Sequence, residues 1–74
     1  MDKETFDLMI RWEEEGLPQE EHIKLFKALI ESGAAWSLQG FYGREAVRLM
    51  QEGFIEVPDL NNIPPRARML LESP

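Results

Sequence analysis

The chain is 74 residues long, which limits it to one domain with a small core. It has no cysteine, so disulfides and thiolate metal sites are excluded, and at 43% hydrophobic residues it is too apolar for a disordered acidic tail. Its 14 acidic and 8 basic residues give a net charge of −6, which opposes non-specific binding to a phosphate backbone.

Asp2 is suited to cap a first helix over 3–15, and Gly16 to close it. Phe6, Met9, Ile10 and Glu13 follow the i, i+3, i+4, i+7 spacing of one helical face, widened by Leu8 and Trp12. Pro18 opens a second helix over 19–32, where Glu20 and Glu21 complement the positive end of the dipole. Ile23, Phe26, Leu29 and Ile30, with Leu25 alongside, form its apolar stripe; Gly33 is its stop. The apolar run 34–39 predicts a helix of a turn or two. Gly40 and Gly43 bracket Phe41 and Tyr42, which predicts a tight turn or a closely packed junction before a helix over 44–52. Phe54, Ile55 and Val57 alternate with Glu56 as a short strand-like fragment. Pro58, Pro64 and Pro65 break up the remainder, so 59–64 reads as loop. Residues 66–72 have the pattern of two helical turns, which cannot persist alone in water and must dock, find a partner or fray. The expectation is an all-α fold, a small bundle of three to four short helices. The helical domain spans 1–57 and a Pro-containing C-terminal tail spans 58–74.

No catalytic constellation is readable. The lone histidine, His22, falls on the polar side of the second helix and reads as a solvated surface residue. None of the three serines, at 32, 37 and 73, lies in a nucleophile-elbow context. Glu13, Glu14 and Glu15, with Glu20 and Glu21, read as a solvated rim rather than a hard-cation site, because consecutive glutamates on a helix point in different directions. Gly40 and Gly43 lack the lysine and spacing of a phosphate-binding loop. No catalytic residue, metal ligand or cofactor is therefore expected, and the chain reads as a binder.

The informative stretch runs Trp36-Ser37-Leu38-Gln39-Gly40-Phe41-Tyr42-Gly43-Arg44. It gathers three aromatics, an amide and a guanidinium, and aromatics and arginine are enriched at binding hot spots. Trp36, Gln39, Tyr42 and Arg44, with Arg48 from the helix that follows, are the candidate binding residues. Against this stand core packing for Trp36 and Phe41, and a local turn lock for Tyr42 and Arg44. The acidity lies elsewhere: nine acids against four bases fall in 1–33, two against two in 34–53 and three against two in 54–74. The helix pair ending at 52 also has helix-turn-helix spacing, with Arg44, Glu45 and Arg48 on the exposed face. The overall charge makes nucleic acid a poor partner.

The run Leu25-Phe26, Leu29-Ile30, Gly33, Ala35-Trp36, Leu38-Gln39-Gly40, Tyr42-Gly43-Arg44, Ala46, Leu49-Met50, Gly53 and Ile55 resembles a family of small uncharacterised proteins encoded mainly by bacteriophages. Its pattern is of the type W-x-L-Q-G-x-Y-G-R-x-A, and the likeness covers 25–55. The chain departs from it at Met50, where isoleucine is usual, and at Pro18, where a serine-like cap is usual. The resemblance implies a phage accessory protein acting in a bacterial cytoplasm, and no particular activity. The expected partner is a host protein, in transcription or defence machinery; a second copy of the chain is a further candidate. A small-molecule or nucleotide site at Gln39, Tyr42 and Arg44 is the alternative. No apolar run approaches the roughly 18–20 residues of a membrane span, and Met1-Asp2-Lys3-Glu4 does not begin a readable signal peptide.

Overall fold

The computed structural model describes residues 2–72, so residues 73 and 74 of the expected tail lie outside the described residues. Four α-helices run in order: α1 (Lys3–Glu15), α2 (Gln19–Ser32), α3 (Gly40–Gln51) and α4 (Pro65–Glu72). Two 3-10 turns, Ala34–Trp36 and Leu60–Asn62, precede α3 and α4. No strand occurs among the described residues. The fold is all-α, as the periodicity predicts.

Local chemistry fixes the helix ends. The Asp2 carboxylate accepts the Thr5 N–H at 2.8 Å and caps α1. That bond holds the Asp2 carboxyl below its ordinary value. Pro18 leads into α2, and Gly33 closes it in the left-handed conformation at φ 82°. Packing then joins α1 to α2, α2 and α3 to the first 3-10 turn, and α4 to α3.

The buried face of α1 is rotated from the predicted one. Thr5, Leu8 and Met9 are buried and Trp12 packs beside them, whereas Phe6 is 54% exposed. Ile10 also faces outward. The apolar residues of α1 span a wider arc than its neighbours cover, so periodicity alone placed the stripe one residue to the side. On α2, Leu25, Phe26, Leu29 and Ile30 are all buried, and Ile23 is partly so.

Two further expectations are corrected. Gly40 and Gly43 form no turn; they lie inside the first two turns of α3, which begins four residues before the predicted start. Gly43 packs beside the first 3-10 turn, where an added Cβ would stand in ordinary contact, 3.6 Å from the Ala35 carbonyl oxygen. The fragment 54–57 is not a strand, because its first two amides are used by a helix end. The Phe54 and Ile55 N–H groups both donate to the Leu49 carbonyl, and Ile55 turns into the core.

Residues beyond Pro58 share the core. Ile63 and Ala67 are buried with Leu49 and Met50, and Gln51 Nε2 donates to the Leu70 carbonyl at 2.8 Å. The two-turn helix thus docks on α3, which supplies the tertiary support that its length requires. Ile63→Ala should destabilise the whole chain by about 2–4 kcal/mol, the cost of truncating a buried aliphatic side chain. Urea unfolding followed by tryptophan fluorescence and by far-UV circular dichroism should shift together. A shift in one signal alone would show that 58–72 melts separately.

Candidate functional site

Trp12 sits at the hub of an aromatic cluster that orients α3. Its ring lies 5.1 Å from Phe26 in edge-to-face geometry, 5.1 Å from Tyr42 and 5.5 Å from His22. Tyr42 is fully buried, and its hydroxyl donates to Glu13 Oε2 on α1. Burial, then the hydrogen bond to the Glu13 carboxylate, pushes the Tyr42 phenol above its ordinary value. Tyr42 is therefore a lock between α1 and α3 and is not presented to a ligand. Phe41, expected in the core, is 39% exposed on the rim of this cluster.

His22 is not solvated as expected. Its ring packs on Trp12 and Phe26, and its Nε2 lies 2.5 Å from Glu45 Oε2, with side-chain exposures of 14% and 18%. Glu45 also receives Arg48 at 2.7 Å, and Arg48 bonds Glu52 at 2.6 Å. Arg48, then His22, holds the Glu45 carboxyl below its ordinary value of 4.5, and the two glutamates hold the Arg48 guanidinium up. Arg48 is thus occupied by Glu45 and by Glu52 at the helix end, which leaves Arg44 as the unpaired arginine of α3 among the described residues.

The remaining three candidates come together. Trp36, Gln39 and Arg44 line a cleft of about 590 Å³ between the first 3-10 turn, the start of α3 and α4. Its opposite wall is Pro64, Arg66, Ala67 and Leu70, which the motif did not reveal. A signal for them did exist: a helix too short to stand alone must dock, and Arg66 and Leu70 share a face at i, i+4. The Trp36 ring is half-buried against Gly43, and its Nε1–H is enclosed with no acceptor among the described residues.

The lining of this cleft is cationic, although Lys3, Lys27 and Arg68 outside it also form no ion pair among the described residues. Arg11 pairs with Glu15 and Glu21, and Lys24 with Glu4. Arg44 and Arg66 have no such partner among the described residues. The Arg44 guanidinium folds back over the α3 start, with Nη1 3.0 Å from where a Gly40 Cβ would stand. Neither α3 nor α4 has an acid in its first turn, whereas α1 carries Glu4 there and α2 carries Glu20 and Glu21. No carboxylate lines the cleft, while four other surface depressions each include a glutamate. Among the described residues, no group of three His, Asp or Glu side chains is placed to hold a metal ion. No helix among them is long and apolar enough to cross a membrane.

Fold and cleft define a small all-α domain with a cationic, partly apolar groove. Residues 1–72 match the family described as Domain of unknown function (DUF7417), and the chain belongs to that family. Neither the curated proteins nor the solved structures contain a significant match.

Two outcomes follow from this geometry. Tyr42→Phe removes a hydrogen bond to a carboxylate and should cost about 1–2 kcal/mol in urea unfolding, with the cleft residues undisturbed by NMR. An unchanged midpoint would show that the Tyr42–Glu13 bond contributes nothing net. Because folding lowers the Glu45 pKa, its ionised form stabilises the fold above the ordinary glutamate value, and that contribution is lost as acid protonates it below 4.5. Glu45→Gln should therefore lower the melting temperature at pH 7 and flatten its fall in acid. Parallel pH profiles for the two proteins would exclude this role.

Proposed function

We propose that this chain is a phage-encoded accessory protein that binds a host protein in the bacterial cytoplasm and alters its activity, with the Trp36–Arg44–Leu70 cleft as the contact surface. The observation that carries the reading is the cleft's composition. It joins a half-buried tryptophan and an exposed leucine, 42% accessible, to two arginines without acid partners among the described residues. Aromatic and arginine side chains in a concave, partly apolar surface are the usual anchors of protein interfaces. Phage origin rests on the W-x-L-Q-G-x-Y-G-R-x-A motif, and the effect on a host target follows from that origin.

A small-molecule site is the second reading, favoured by a volume of about 590 Å³, within the usual range of ligand pockets. It predicts a rise in melting temperature with a nucleotide or metabolite at saturating concentration. The two readings separate in one experiment, affinity capture from bacterial host lysate with wild type, Trp36→Ala, Leu70→Asp and Arg48→Ala. One host protein should be retained by wild type and Arg48→Ala. Trp36→Ala should weaken its binding about 30-fold or more, the effect of losing a hot-spot side chain. Equal retention by all four proteins, or retention of none, would overturn the assignment.

A further inference from the structure

We propose that the cleft recognises an acidic side chain flanked by bulky apolar residues, carried on an exposed segment of a partner protein. This rests on the reading of the cleft as a protein-binding surface and specifies the chemistry of its ligand. Charge complementarity carries the argument. The chain has six more acids than bases, yet Arg44 and Arg66 line one groove in which no carboxylate is found among the described residues. Elsewhere Arg11, Lys24 and Arg48 each find an internal acid, and the unpaired Lys3 and Lys27 lie in depressions also lined by glutamates. A guanidinium presents a planar fork of donors that matches a carboxylate in bidentate fashion. A glutamate or aspartate reaching between the two walls meets both charges.

The apolar groups beneath set the neighbouring residues. Trp36, Leu38, Ala67 and Leu70 line the same groove, and Leu70 is only partly covered. A leucine or phenylalanine next to the acid buries against them while the acid stays between the arginines. A phosphate ligand suits the site less well. The groove offers no lysine and much hydrocarbon, and the chain's net charge of −6 repels a polyanion more strongly than a single carboxylate.

The test is NMR titration of the ¹⁵N-labelled full chain with blocked pentapeptides. Each carries a central glutamate flanked by Leu, Phe, Ile or Trp; a matched panel carries glutamine instead. At least one glutamate peptide should shift Trp36, Gly40, Arg44 and Leu70, and its glutamine match should bind about tenfold more weakly or worse. In the Arg44→Gln/Arg66→Gln double variant the two peptides should bind equally, while Arg48→Gln keeps the preference. Melting temperatures confirm that each variant is folded. Equal binding of glutamate and glutamine peptides, shifts outside the cleft, or no binding by any peptide would overturn the proposal. So would inorganic phosphate or ATP binding the same residues more tightly. A host protein held through Trp36 but indifferent to the double arginine variant would leave the protein-binding reading standing and remove only the acidic ligand.

Discussion

The burial of Tyr42 against Trp12 is the constraint from which the rest of the structure follows. Tyr42 is large, fully enclosed and polar at its tip, so its place is set by two requirements at once. The ring must pack on Trp12 and Phe26, and the hydroxyl must find an acceptor, which Glu13 supplies. The same hub seats His22, whose contact with Glu45 ties α2 to α3 one turn further along. Three helices are thereby fixed by side chains that carry both apolar bulk and a directed polar bond. Hydrocarbon alone specifies a core less sharply, because its packing is non-directional. With Tyr42 turned inward, Gly43 meets the 3-10 turn and Arg44 comes to the cleft mouth. The lock and the candidate site are successive residues of one helical turn.

Charge is partitioned in the same way. The glutamates of α1, α2 and the exposed side of α3 are largely engaged with one another's cations or in water. Surface pairs of this kind contribute little each. Their effect is on the distribution of sign: they neutralise Arg11, Lys24 and Arg48, while among the described residues Arg44 and Arg66, like Lys3, Lys27 and Arg68, have no acid partner. The cleft is therefore cationic in an acidic molecule, a contrast that the net charge conceals.

Much of this was legible in the sequence, and the failures have physical causes. The ends of α1 and α2 were readable because Asp2, Gly16, Pro18 and Gly33 each act locally. The start of α3 was misread because Gly40 and Gly43 are turn residues by propensity, while here both take ordinary helical backbone inside α3. The strand-like alternation at 54–57 was overridden by the need to satisfy the last carbonyls of α3. His22 looked solvated because its own helix places it beside polar residues; its partners Trp12 and Glu45 come from other helices. For the site, the motif contained one wall of the cleft. It also contained Tyr42, which belongs to the core, and missed Arg66, Ala67 and Leu70. Sequence proximity records what is covalently close, and a cleft is defined by what packs across it.

The helix α4 is two turns long and would not hold its form in isolation. It is held by Ile63 and Ala67 in the core and by the Gln51 bond to Leu70. Leu70 itself remains 42% exposed, and Arg66 next to the core-facing Ala67 has no acid partner among the described residues. One face of α4 thus anchors the helix while the other stays unsatisfied. A ligand that contacts both walls stabilises the docked α4 by mass action, since the complete cleft exists only when α4 is in place. Conversely, any change that loosens α4 weakens binding without touching the ligand. In a chain this small, the last helix to join the core is also half of the surface that core presents.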